Sequence, residues 1–88
     1  MKAVVTVLGK DRTGIIAAVS NLLYQKGVNI LDISQTILSG MFTMIMLVEI
    51  GQDSQYDVVR EALLGMAQDM GLEIRVQRSD IFDAMHRI

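Results

Sequence analysis

Two residues, Ser39-Gly40, separate two long strand-like runs, and this junction constrains the fold more than any other stretch. So short a connection between extended segments calls for an antiparallel hairpin. Before it, from Leu31, apolar and polar residues alternate. Leu31, Ile33 and Ile37 share one face, and Asp32, Ser34 and Thr36 share the other. A period of two predicts a strand with one buried and one wet side. After it, Phe42 to Ile50 is apolar on both faces, with Phe42, Met44, Met46, Val48 and Ile50 against Ile45 and Leu47. Such a strand belongs inside a sheet rather than at its edge.

The rest of the chain arranges itself around that hairpin. Lys2 to Leu8 is rich in Val and free of turn formers, and it reads as a strand. Gly9-Lys10-Asp11-Arg12-Thr13-Gly14 ends it. A helix is predicted from about Thr13 to Lys26, with Ile15, Ile16, Val19, Leu22 and Leu23 on one stripe. Thr13 is placed to cap it, or Asp11 to approach its first N–H groups. Lys26-Gly27 closes it with a cation and a left-handed glycine. After the turn at Gly51 to Ser54, Ser54-Gln55-Tyr56-Asp57 reads as a capping box with Asp in place of Glu. Val59, Ala62, Leu63, Met66, Ala67 and Met70 form a second helical stripe, which Gly71 stops. Leu72 to Arg78 alternates with charges on its outer side, as an edge strand would. Ser79-Asp80 then opens a short helix with Ile81, Phe82, Met85 and Ile88 on one side. The order is α+β: a ferredoxin-like βαββαβ sandwich. Two right-handed crossovers give a four-stranded antiparallel sheet with two helices on one face, plus a short C-terminal helix.

At 88 residues the chain reads as one domain, residues 1–88. A domain of this size buries roughly 60% of its unfolded surface. Yet 51% of the residues are apolar, and two helices cover only one face of the sheet. A second copy of the chain is the expected cover for the remainder. There is no Cys, which excludes disulfides and thiolate metal sites. The net charge of −2 argues against nucleic acid as a partner. The apolar run Met44 to Val48 is far too short to span a membrane, and the start shows no charged-then-apolar leader, so a cytoplasmic location is expected.

Chemistry concentrates in the Gly9–Gly14 turn, where backbone N–H groups at the start of a helix can meet an anion. No Gly-Lys-Ser/Thr closes it, so it is not a nucleotide P-loop. The serines have no base nearby in the sequence, the single His being His86 near the end of the chain, so neither a hydrolase triad nor enzyme activity is expected. Asp80, Asp83 and His86 stand at i, i+3 and i+6. About 600° of helical turn separates the first from the last. Two acids and the sole His offer ligands for a divalent metal, but they share a helix face only loosely. Acids early with His86 and Arg87 late suit the dipole of a short helix. This second reading is preferred, so no metal and no cofactor are expected. The methionines serve as packing filler.

Gly9-Lys10-Asp11-Arg12-Thr13-Gly14-Ile15, followed one helix later by Gly27-Val28-Asn29-Ile30, resembles an ACT domain. The whole chain is similar to the small stand-alone single-ACT-domain proteins (UPF0237-like). It departs from them at Thr13, where many relatives carry proline. The resemblance implies a regulatory, non-catalytic module that forms a homodimer and binds a small amino acid or related metabolite at the subunit interface. It implies Gly9, Asp11, Gly14 and Asn29 as ligand-binding residues, flanked by Arg12 and Thr13, with Asn29 on a neighbouring chain. The chemistry suits such a ligand. Helix-start N–H groups fit its carboxylate, Asp11 and the Asn29 amide oxygen fit its ammonium, and Gly9 and Gly14 leave the backbone approachable. In the opposing reading Asp11 and Thr13 simply cap a helix. A structural module that docks a partner enzyme or regulator without a ligand is the alternative function.

Overall fold

The computed structural model describes residues 1–79. The elements are β1 (Lys2–Lys10), α1 (Ile15–Gln25), β2 (Asn29–Leu38), β3 (Met41–Glu49), α2 (Tyr56–Met70) and β4 (Glu73–Arg78). All neighbouring strands are antiparallel, in the order β2-β3-β1-β4. This is the ferredoxin-like βαββαβ arrangement expected from the sequence, with β3 inside the sheet and β4 at its edge. The C-terminal helix expected from Ser79-Asp80 onwards lies outside the described residues.

Alternation sorts the side chains. Ala3, Val5 and Val7 of β1, Phe42, Met44, Met46 and Val48 of β3, and Ile74 and Val76 of β4 form one apolar face. Ile15, Val19 and Leu23 of α1 and Val59, Leu63 and Ala67 of α2 pack onto it. Both helices therefore cover the same side, and among the described residues no helix packs on the other side of the sheet. The Tyr56 hydroxyl donates to the Val76 carbonyl at 3.2 Å and pins the start of α2 to β4.

The turns behave as their residues require. Ser39 (φ 52°) and Gly40 (φ 79°) both lie in the left-handed region, the geometry of a type I′ hairpin. Leu38 is paired with Met41, so the loop is two residues long. At the end of α1, Gly27 N–H donates to Tyr24 and Val28 N–H to Leu23, closing a Schellman motif over the buried Val28–Leu23 pair.

Three local expectations are corrected. First, α1 starts from Gly14, at φ 95°, and no side chain caps it. The left-handed Gly14 separates Thr13 and Asp11 from the first turn, so neither serves as the cap. Second, Ser54 does not cap α2. Asp53–Gln55 form a 3-10 turn that runs into the helix, and Gln55 occupies the cap position without a side-chain bond. Third, β2 has no buried side. Ile33 and Ile37 stand opposite Met46 and Phe42, on the helix face, yet are 44% and 54% exposed. The helices pack over β3, β1 and β4 and reach β2 only near Ile30. Leu31 sits in a β-bulge between Ile30 and Asp32, which breaks the alternation at that point.

Candidate functional site

The turn after β1 is fastened on two sides. Asp11 N–H donates to the Gly40 carbonyl at 2.8 Å, which extends the β1–β3 ladder by one bond and joins the turn to the hairpin tip. The Arg12 guanidinium donates to the Met70 carbonyl, 2.6 Å away, at the last residue of α2. A cation against the carbonyl end of a helix is favourable for both bond and dipole. The side chains of Asp11, Arg12 and Thr13 are otherwise exposed.

The two glycines of the turn differ. A Cβ at Gly14 would meet nothing within 4 Å, and the residue is a glycine because its φ is 95°. A Cβ at Gly9 would collide with Leu72 Cδ2. The space beside Gly9 is thus filled by the residue that leads into β4. Nothing in the sequence pattern signals this close approach, since Leu72 lies far along the chain.

Between the turn and the end of α2 lies a cleft of about 420 Å³, lined by Lys10, Asp11, Arg12, Met70, Gly71 and Leu72. Two cations and one carboxylate meet there. The contribution of Lys10 and of the α2–β4 connection was not legible in the sequence.

Asn29 is elsewhere in the same chain. It is the first residue of β2, paired with Glu49, which in turn pairs with Lys2. Asp11 follows the other end of β1, next to the hairpin. At 3.3 Å per residue, the length of β2 puts Asn29 about 30 Å from that end. Gly9, Asp11, Arg12, Thr13 and Gly14 are therefore brought together, and Asn29 is not. Asp80, Asp83 and His86 lie outside the described residues. Among the described residues no cluster of three or more His, Cys, Asp or Glu is placed to hold a metal ion. Among the same residues no helix is long and apolar enough to cross a membrane.

Known proteins resemble this chain along its whole length. A UPF0237 protein of Listeria monocytogenes serovar 1/2a is 47% identical over 89 residues, covering 100% of both chains. A UPF0237 protein of Methanocaldococcus jannaschii is 44% identical and covers 99% of this chain and 98% of its own. Among solved structures, an ACT domain protein from Streptococcus pneumoniae is 40% identical at a TM-score of 0.83, over 98% of both chains. A protein described as a glycine cleavage system transcriptional repressor is 32% identical at a TM-score of 0.82, over 89% of this chain and 45% of that one. The family model described as ACT domain matches residues 2–77. By sequence and by fold, the chain belongs to the ACT domain family.

Proposed function

We propose that this protein is a non-catalytic regulatory module that binds a small amino acid between two copies of itself. The observation that carries the reading is the start of α1: among the described residues no side-chain cap bond is made there, and Gly14 has open space beside it. A ligand carboxylate suits the N–H groups there, and the Asp11 carboxylate suits the ligand ammonium. Asn29 joins this site only from a second chain. An antiparallel, two-fold pairing of β2 with β2 would carry Asn29 of one copy towards the hairpin end of the other, the end at which its Asp11 lies. The exposed Leu31, Ile33 and Ile37 give β2 the apolar surface for such a pairing. Binding would regulate by differential affinity for two arrangements of the pair. The 32% identical repressor supports a regulatory role.

The test has two stages. Thermal unfolding is measured against each of the twenty amino acids at millimolar concentration. A ligand at 100 times its Kd stabilises the fold by about 2.7 kcal/mol. No shift with any of them rejects amino-acid sensing. For a ligand that binds, Asn29→Ala and Asp11→Ala each abolish the shift, and mixing the two variants restores part of it. Recovery on mixing requires a site that spans chains. A second reading, ligand-free docking of a partner protein, is favoured by the exposed cluster Leu38, Met41 and Ile45 on the side of the sheet away from α1 and α2. Gly14→Val separates the two, since it would abolish a ligand response and spare partner binding.

A further inference from the structure

Three charged residues in a row, Lys10, Asp11 and Arg12, leave the end of β1, and all three line the cleft against the α2–β4 connection. At about 420 Å³ the cleft has the volume of a small-molecule pocket. Its apolar wall comes from Met70 and Leu72, both half-buried against the core. Leu72 is seated against Gly9, where a Cβ would collide with it.

The charges of the cleft are largely unspent. Among the described residues, neither Lys10 nor Asp11 makes a side-chain hydrogen bond or ion pair. Arg12 gives one N–H to the Met70 carbonyl and keeps four others. That bond offsets the negative end of the α2 dipole, which would otherwise repel an anion. It also holds the guanidinium at the cleft, so less freedom is lost when an anion arrives. Once Asp11 has taken a ligand ammonium, Lys10 and Arg12 have no carboxylate left among the lining residues. The ligand has to bring one.

We propose that the ligand is an acidic amino acid, aspartate or glutamate, whose side-chain carboxylate meets Lys10 and Arg12 in this cleft. Its methylene groups lie against Met70 and Leu72. The inference rests on the amino-acid reading above, in which the ligand ammonium is held by Asp11, the residue common to the turn and the cleft. Glutamine and asparagine have the same shapes but offer only a neutral amide, and a charge-assisted bond is about twice as strong as a neutral one.

The test is isothermal titration of the full chain with each acid and its amide. Glutamate or aspartate should bind at least about tenfold more tightly than glutamine or asparagine. Lys10→Gln should lower that ratio several-fold, and circular dichroism should show the variant folded, because the Lys10 side chain is exposed. Equal binding of acid and amide, or a ratio that Lys10→Gln leaves unchanged, overturns the proposal. Binding of some other amino acid with none for the acids overturns it too, and leaves the broader amino-acid reading standing. No binding of any amino acid overturns both.

Discussion

The Arg12 guanidinium reaches the Met70 carbonyl, 58 residues further along the chain, and ties the β1–α1 turn to the end of α2. Replacing Arg12 with Ala should cost about 1 kcal/mol, because the bond is charge-assisted but exposed to solvent. Faster hydrogen exchange should be confined to Asp11–Gly14 and the α2–β4 connection. Global protection lost to the same degree everywhere would show that the bond holds more than the turn.

Gly9 and Leu72 form a second link across the same region. Gly9→Ala forces the Leu72 side chain to move, with an expected cost of about 1–3 kcal/mol. In the Leu72→Ala background the same substitution should cost markedly less. Equal costs in both backgrounds, measured by urea unfolding, would place the strain elsewhere.

Thr13 and Gly14 make opposite predictions for neighbouring positions. Thr13→Ala should change stability by less than about 0.5 kcal/mol, since Thr13 caps nothing. Gly14→Ala should cost about 1 kcal/mol through the backbone alone, there being open space for the methyl group. A loss of about 1 kcal/mol on Thr13→Ala would restore the capping role that the sequence suggested.

The hairpin offers a gain. Ser39 holds φ 52°, which Asn adopts more readily than Ser. Ser39→Asn should therefore raise stability by about 0.5 kcal/mol, seen as a higher Tm without a change in the denaturant slope. A lower Tm would argue against the type I′ geometry.

On β2, Ile37→Lys should weaken self-association and leave the monomer folded, because Ile37 is already 54% exposed. Sedimentation and circular dichroism check both halves. Unfolding of the variant, or an unchanged pair, would remove β2 from the proposed interface.

What the sequence disclosed follows from how local each feature is. The Ser39-Gly40 hairpin, the Gly27 cap and the inner position of β3 each depend on a few adjacent residues, and each is found as expected. Thr13 and Ser54 carry the right chemistry for caps but meet the wrong backbone, a left-handed Gly14 and a 3-10 turn. The period of β2 marks a strand correctly, while its burial depends on how far the helices reach, which no local pattern records. The same holds for Leu72 over Gly9 and Met70 beside Arg12. The turn that gathers Asp11 to Gly14 was legible, whereas the α2–β4 wall of the cleft was not.

The position of β1 has a kinetic consequence. It is made before both of its partners, β3 and β4, and the β4 partner residues Ile74 and Val76 come about seventy residues after Val7 and Val5. During synthesis the β2–β3 hairpin can close within microseconds, using only local contacts. The sheet cannot be completed until Arg78 has emerged, and loop closure over such separations slows the final step. Until then β1 presents Val4, Val5 and Val7 with one edge unpaired. The nascent chain is therefore most exposed to misassociation just before β4 arrives.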